Sequence, residues 1–407
     1  MSRQLVAIDA DDAHAVYRAL RDAVTGDGPA VLPRQAGSLP AGLSARAGTV
    51  PQNVALVVET SGSTGTPKRV ALSADALLAS AAASAGAIDR QEPGVARWLL
   101  ALPAHYIAGA NVLVRSIAAG TEPVILPPRH FDPLAFCDAA ATLDSDQSFT
   151  SLVPVQLARL LEVAAPVGPA LDVLRRFDAI LIGGQALQPE LRERALDAGL
   201  RIVRTYGSSE TGGGCVYDGM PIGPVHAREA DGHLELAGPV LAEGYLDSDG
   251  TIDRDRTDAS FHTADGVRWY RTGDLGTVDI DGRVRVTGRA DNVIISGGEK
   301  VSLDAVQASV RRQRGLSDAV VVARASGEWG QVPIVVVEGE PPLALADLRA
   351  AVQADFGRAA APSGIVSVER MPLLASGKPD RVALARLVAS RYSIEKDVSD
   401  NDTRDAT

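Results

Sequence analysis

Short apolar runs alternate with longer mixed segments through the first half of the chain. Val54-Ala55-Leu56-Val57-Val58 is an apolar pentad that ends at a glycine-rich stretch, and Ser73 then opens a helix-forming segment. Trp98-Leu99-Leu100-Ala101-Leu102, Val124-Ile125-Leu126, Ser151-Leu152-Val153, Ala179-Ile180-Leu181-Ile182 and Arg201-Ile202-Val203 are the next strand candidates. Helix-length segments separate them, beginning after His105, at Asp132-Pro133, near Pro154 and near Pro189. Asp132 offers a capping carboxylate, and Pro133 lacks an N–H that the first turn would leave unpaired, so their order reads as a helix start. Strands alternating with helices predict largely parallel sheets covered on their faces. In such sheets ligands collect at loops after strand C-terminal ends. That singles out 60–68, 103–106, 183–186 and 206–210.

From Gly223 the pattern changes. Asp-Gly pairs at 231–232, 249–250, 265–266 and 281–282 punctuate short strands, the signal for hairpins in an antiparallel region. Beyond Asn292 a compact mixed unit follows: Val293-Ile294-Ile295, a Gly297-Gly298 turn, a helix capped by Ser302, strands at 320–322 and 334–337, a helix over 345–356 and a strand at 366–368. Residues 393–407 are polar and lack periodicity, which predicts a disordered tail. The predicted fold class is α/β (α+β overall). A large domain over 1–290 holds helix-covered sheets and an antiparallel β region, and a small mobile α+β domain occupies 291–392.

Composition narrows the function classes. The chain has 407 residues, 46% apolar and 22% charged, as in ordinary globular proteins. Its formal charge of −11 argues against nucleic acid or an anionic membrane surface as partner. Two cysteines, Cys137 and Cys215, cannot build a disulfide framework and point to a reducing compartment. With no leader pattern at the start and no apolar run of spanning length, the expected location is cytoplasmic.

Thr60-Ser61-Gly62-Ser63-Thr64-Gly65-Thr66-Pro67-Lys68 interleaves small hydroxyl residues with glycines and ends on a cation. Such a stretch makes a collar of backbone N–H groups, hydroxyls and one ammonium that can wrap a polyphosphate. It departs from the P-loop, whose second glycine directly precedes the lysine and whose lysine is followed by Ser or Thr. A plain polar turn is the alternative. In a chain this acidic, binding an anion needs positive charge concentrated locally, around Lys68, Arg289 and Lys378.

Four further segments, in this order along the chain, extend the pattern: Tyr206-Gly207-Ser208-Ser209-Glu210, Tyr270-Arg271-Thr272-Gly273-Asp274, Gly288-Arg289-Ala290-Asp291 leading into Gly297-Gly298-Glu299, and Pro372-Leu373-Leu374-Ala375-Ser376-Gly377-Lys378. Together with the 60–68 stretch they resemble the acyl-adenylate-forming superfamily of acyl-CoA and aryl-CoA ligases, luciferases and peptide-synthetase adenylation domains. The resemblance runs from about residue 54 to residue 388. It implies ATP, Mg2+ and coenzyme A as cofactor and co-substrates, and a small-molecule aromatic carboxylic acid as substrate. By the same resemblance, Tyr206 stacks on adenine, Gly207 belongs to the same nucleotide-binding element, Ser209 meets the α-phosphate and Glu210 holds Mg2+. Asp274 would take both ribose hydroxyls, Arg289 would reach ribose or phosphate, and Asp291 would be the hinge. Gly297 and Gly298 would line the channel for the pantetheine arm, and Lys378 would bridge the attacking carboxylate and the α-phosphate.

Leu102-Pro103-Ala104-His105-Tyr106 resembles the family loop whose His or aromatic residue gates the acid pocket, and Gly183-Gly184-Gln185-Ala186 the loop shared by acyl group and adenine. Only 59 residues precede Thr60. That compactness, and Ser151-Leu152-Val153-Pro154-Val155-Gln156-Leu157-Ala158-Arg159-Leu160-Leu161, look most like the o-succinylbenzoate–CoA ligases of menaquinone biosynthesis. Their substrate has a second, unactivated carboxylate, for which Arg159 is the candidate partner. Three alternatives stay open: another short aryl- or acyl-CoA ligase, a stand-alone adenylation enzyme that loads a carrier protein, and a non-catalytic relative. A homodimer stays open too. No acyl-enzyme nucleophile is expected, and Cys215 reads as a packing residue.

Overall fold

The computed structural model describes residues 1–35, 45–60, 68–88, 94–127, 130–164, 168–373 and 379–402, without the side chains of 45, 46 and 393–402. Two compact units divide the chain: Met1–Thr272 with Thr277–Arg285, and Gly273–Gly276 with Val286–Thr407. Asp274 and Arg289, which a division at 290 leaves in the large domain, therefore belong to the second unit. The reason is that two strands, Val267–Val278 and Val284–Arg289, are shared by both units.

The first unit opens with β1 (Ser2–Asp9), α1 (Ala13–Thr25), β2 (Ala30–Arg34), β3 (Ala45–Pro51), β4 (Val54–Thr60) and β5 (Lys68–Ser73). Asp12 caps α1 by accepting from Ala15 N, and Gly26, in the left-handed region at φ 90°, ends it. A second series follows: α2 (Ala74–Ile88), β6 (Ala96–Leu100), α3 (Ile107–Ala118), β7 (Val124–Ile125), α4 (Pro133–Ala141), β8 (Gln147–Leu152), α5 (Pro154–Val163), α6 (Pro169–Arg175), β9 (Ala179–Ile182), α7 (Pro189–Asp197) and β10 (Ile202–Ser208). Asp132 caps α4 as its sequence predicts, accepting from Leu134 N at 2.9 Å. After β10 come β11 (Gly213–Tyr217), β12 (Met220–Pro221), β13 (His226–Ala230), β14 (His233–Ala237), β15 (Gly244–Leu246), α8 (Arg254–Ser260), β16 (Phe261–Ala264), β17 (Val267–Val278) and β18 (Val284–Arg289).

Among the described residues the first sheet runs β15-β5-β4-β2-β1-β3 and the second β12-β11-β10-β9-β8-β6-β7. β6 to β10 are parallel, as the alternating pattern predicts. The first sheet is mixed instead: β4 and β5 are antiparallel, with Thr60 opposite Lys68. The glycine-rich stretch is thus flanked by two antiparallel strands, where the pattern of an apolar run before it and a helix after it predicts a strand-to-helix turn. Side chains alternate across the second sheet with a period of two. Trp98, Leu100, Phe149 and Leu181 pack into one core with α1, α2 and α3. Leu99, Leu152, Ile180 and Ile182 pack on the other face with Phe136, Leu157 and Leu174. β13, β14, β17 and β16 form a third sheet, and β18 pairs with β17. Its turns at Asp231-Gly232 and Asp265-Gly266 have both residues at positive φ, the geometry Asp-Gly hairpins favour.

In the second unit β19 (Val293–Ser296), β20 (Glu299–Ser302), α9 (Leu303–Arg311), β21 (Val320–Ser326), β22 (Gly330–Glu338), α10 (Leu345–Phe356), β23 (Gly364–Val368) and α11 (Arg381–Asp402) follow in turn. The sheet order is β20-β19-β22-β21, with β23 parallel on β22. Val321, Val335 and Val337 face α9 and α10, whereas Val320, Ile334 and Val336 face Leu384 and Val388 of α11. The polar run expected to be irregular from Ser393 is helical as far as Asp402. It extends a helix already seeded by the buried residues Leu384 and Val388, and extending a helix is far easier than starting one. No helix among the described residues is long and apolar enough to cross a membrane.

Candidate active site

Parallel β6, β8, β9 and β10 place their C-terminal ends along one edge, so the loops after them share a rim. After β9, Gly183 donates its N–H to Leu152 O at 3.1 Å. A Cβ on Gly183 would meet Thr205 Oγ1 at 2.5 Å, which explains the glycine. Gly184 has φ 80°, and Gln185 and Ala186 complete the loop. After β8, α5 is tied down at its start by Gln156, which accepts from Val153 N and donates to Ala101 O, both at 3.0 Å. Arg159 lies exposed on α5, with no ion pair among the described residues.

Tyr206 and Gly207 lie near the end of β10, where the register with β11 shifts. A Cβ at Gly207 would collide with Gly213 O, so only glycine allows these strands to close. A single helical turn, Ser209–Thr211, carries Ser209 and Glu210, 7% and 9% exposed. Glu210 Oε1 accepts from Tyr245 Oη at 2.9 Å, and Ala242 N donates to Glu210 O at 2.8 Å. Burial, with the Glu210 carboxylate adding to it, raises Tyr245 and Tyr270 well above the usual phenol range, so both stay protonated. Lys68 Nζ lies 5.3 Å from the centre of the Tyr245 ring. Lys68, paired with Thr60 across β4 and β5, is thus linked through Tyr245 to Glu210. Ser61, Gly62, Ser63, Thr64 and Gly65 lie outside the described residues.

Ahead of α3, His105 and Tyr106 stack at 4.2 Å. Burial pushes the His105 imidazole below its ordinary value, against the nearby Asp11 and Asp9 carboxylates. Among the described residues neither His105 ring nitrogen has a hydrogen-bond partner, and the same holds for Asn111 Oδ1 and Arg115 Nε, all buried. Buried polar atoms are rarely left unpaired in this number unless something else supplies partners. Asn111 Nδ2 donates to Gly212 O at 2.5 Å. One turn on, Arg115 donates to Ser151 Oγ at 3.3 Å and Tyr217 Oη at 3.2 Å, and has no carboxylate partner among the described residues. Asn111 and Arg115 did carry a signal, as lone polar residues in the apolar run 107–114 and just after it, but nothing marked Tyr245 apart from any core aromatic.

In the second unit Asp274 forms an ion pair with Arg289 Nη1 at 3.1 Å, and Arg289 Nε reaches Asp291 Oδ1 at 3.2 Å. Burial lowers the Arg289 pKa, but Asp291 and Asp274 outweigh it and hold the guanidinium charged. Asp304 organises the same corner: it accepts from Arg289 N at 2.8 Å and from Asn292 Nδ2 at 2.6 Å, and it pairs with Arg381 at 3.0 Å. Gly297 and Gly298, at φ 56° and 87°, form the two-residue turn between β19 and β20. A Cβ on Gly297 would run into the Trp329 ring at 2.6 Å. Lys378 lies outside the described residues, between Leu373 and Pro379, which pair as an antiparallel bridge.

Among the described residues no group of three or more His, Cys, Asp or Glu could hold a metal. A buried carboxylate with one oxygen already hydrogen-bonded fits a different arrangement. Mg2+ is commonly held by one or two carboxylates together with nucleotide phosphates. Cys215 is fully buried, and burial pushes its thiol up to about 12, which leaves it inert.

The AMP-binding enzyme family model matches residues 6–246, and the AMP-binding enzyme C-terminal domain model matches 305–378. A protein of Mycobacterium tuberculosis named probable 2-succinylbenzoate–CoA ligase is 40% identical over 381 residues, covering 91% of this chain and 94% of the relative. The 2-succinylbenzoate–CoA ligase of Listeria monocytogenes is 30% identical over 341 residues, covering 80% and 68%. The o-succinylbenzoate CoA synthetase of Bacillus subtilis, solved with its acyl-adenylate intermediate, superposes with a TM-score of 0.69 at 25% identity, covering 83% of this chain and 70% of that one.

Proposed function

Because this chain belongs to the AMP-binding enzyme family, we propose that it is an acid–CoA ligase that activates 2-succinylbenzoate, a step of menaquinone biosynthesis. The observation that carries the proposal is the convergence of Lys68 and Glu210, from remote parts of the chain, on Tyr245 beside the rim of the second sheet.

In the first half-reaction a carboxylate oxygen of the acid forms a bond to the α-phosphorus of ATP. The bond from that phosphorus to the bridging oxygen breaks, and pyrophosphate leaves with the electron pair. Lys68 and the 60–68 stretch bind the phosphates, and Lys378 offsets the charge that builds during attack. Glu210 would hold Mg2+, which when bound neutralises phosphate charge. Tyr206 and the 183–186 loop flank the base, and Asp274 takes the ribose hydroxyls.

In the second half-reaction the sulfur of coenzyme A attacks the acyl carbonyl carbon. The acyl–oxygen bond to AMP breaks, and the thiol proton passes to solvent. The second unit swings about Asp291, removing Lys378 and presenting the Gly297-Gly298 turn, so one site serves two chemistries in sequence. Arg159 supports recognition of the second carboxylate from an exposed place on α5, and the polar atoms of His105 and Asn111 left unpaired among the described residues support a polar ligand at the rim.

The test is ATP–pyrophosphate exchange against a panel of acids, with and without coenzyme A. Exchange that needs 2-succinylbenzoate, and a thioester on adding coenzyme A, is the expected result. Exchange driven only by benzoate or fatty acids would overturn the substrate, and thioester formed only on a carrier protein would overturn the acceptor.

A further inference from the structure

Glu210 has one hydrogen bond to its side chain among the described residues, and the donor is Tyr245. That donor is fixed from several sides. β15 pairs antiparallel with β5, placing Tyr245 opposite Val70, two residues after Lys68. Tyr245 N donates to Thr257 Oγ1 at 3.0 Å, and its ring meets Phe261 edge-on at 6.1 Å. The residue is 1% exposed. Gly244, just before it, has no room for a side chain, because a Cβ would meet Thr257 Oγ1 at 2.5 Å. A ring so held has little freedom to re-aim its hydroxyl.

The hydroxyl occupies Oε1 and leaves Oε2 as the acceptor that remains. An aromatic face also attracts a cation set over it, so the same ring that aims the carboxylate seats the Lys68 ammonium. Lys68 comes from the first sheet and Glu210 from the rim of the second. Tyr245 is the side chain that touches both.

We propose that Tyr245 is a positioning residue that turns the free oxygen of Glu210 toward the divalent cation carried by the nucleotide, and holds that carboxylate in register with Lys68. The inference rests on the reading of Glu210 as the metal-holding residue. It differs from simple core packing because packing needs the ring, whereas positioning needs the hydroxyl.

Tyr245→Phe separates the two, since it keeps the ring, its stacking and the Lys68 contact and removes one oxygen. Three quantities are measured on the full chain: Mn2+ affinity of the ATP complex by electron paramagnetic resonance, metal-free AMP affinity by calorimetry, and thermal midpoint. A hydrogen bond to a charged group is the interaction removed, so Mn2+ affinity should fall about tenfold. AMP affinity and the thermal midpoint should stay near wild type. Glu210→Gln is the comparator. If Glu210→Gln weakens Mn2+ binding but Tyr245→Phe does not, the positioning role is overturned and the reading of Glu210 stands. If Tyr245→Phe lowers AMP affinity and thermal midpoint in step with Mn2+ affinity, the tyrosine is structural and the proposal fails. If Glu210→Gln leaves Mn2+ affinity unchanged, the reading of Glu210 itself fails, and the proposal with it.

Discussion

Arg289 holds Asp274 by an ion pair of 3.1 Å, with the arginine side chain 51% exposed and the aspartate 15%. A pair so open to water contributes roughly 0–1 kcal/mol to stability. Two hydrogen bonds from ribose hydroxyls to the same carboxylate would each contribute about 1.5–3 kcal/mol to binding. Asp274→Asn should therefore leave the thermal midpoint almost unchanged while weakening ATP binding about tenfold or more. Paired thermal unfolding and ATP titration decide it. A large loss of stability with intact ATP binding would show that the aspartate serves the fold alone.

Glu235 gives the opposite expectation. Its side chain is fully buried, with Arg228 at 2.8 Å and Arg271 at 3.1 Å. Burial alone would raise its pKa, but the hydrogen bonds from Arg228 and Arg271, with His262 adding, outweigh it and bring the carboxyl below 4.5. A carboxyl whose folded pKa is depressed adds stability that is complete above its unfolded value and is lost as pH falls through the folded one. Glu235→Gln, which leaves two arginines facing a neutral amide, should destabilise by about 3 kcal/mol near neutrality. Denaturant titrations at descending pH should show the gap between wild type and variant holding above about pH 5 and shrinking below the ordinary carboxyl value of 4.5. A gap that widens in acid would contradict the assignment.

At pH 8 a thiol titrating near 12 is ionised in about one molecule in ten thousand. Native protein should therefore give no fast reaction of Cys215 with a disulfide reagent, and Cys215→Ala should retain adenylation. Trapping an acyl group on Cys215 would refute activation through AMP alone.

Lys378→Ala should slow adenylation by about 10². It should largely spare thioester formation from acyl-adenylate supplied ready-made. Stopped assays of each half-reaction measure this, and equal loss in both would rule out the swing about Asp291.

Much of the fold was legible because caps and runs have local causes. The strand at 179–182 and the helix at 345–356 stand where the apolar pattern puts them. The strand Lys68–Ser73 was less legible, because it runs straight into α2 and is held between β4 and β15, the latter far along the chain. Glu210 and Asp274 are proposed from their motifs, because each carboxylate sits in a distinctive string of glycine and hydroxyl residues. Tyr245 was invisible for the converse reason. Its role comes from what touches its two ends, and sequence spacing does not report such contacts.

Because residues 273–276 come from β17 while the remainder of the second unit starts at Val286, that unit cannot be excised as one continuous piece. A gene fragment beginning at Val286 would encode Arg289 without Asp274. Reassembly from two fragments split there would have to bring the acidic side chain on one piece and its basic partner on the other, so recovery of ATP binding would report on the joining of the pieces themselves.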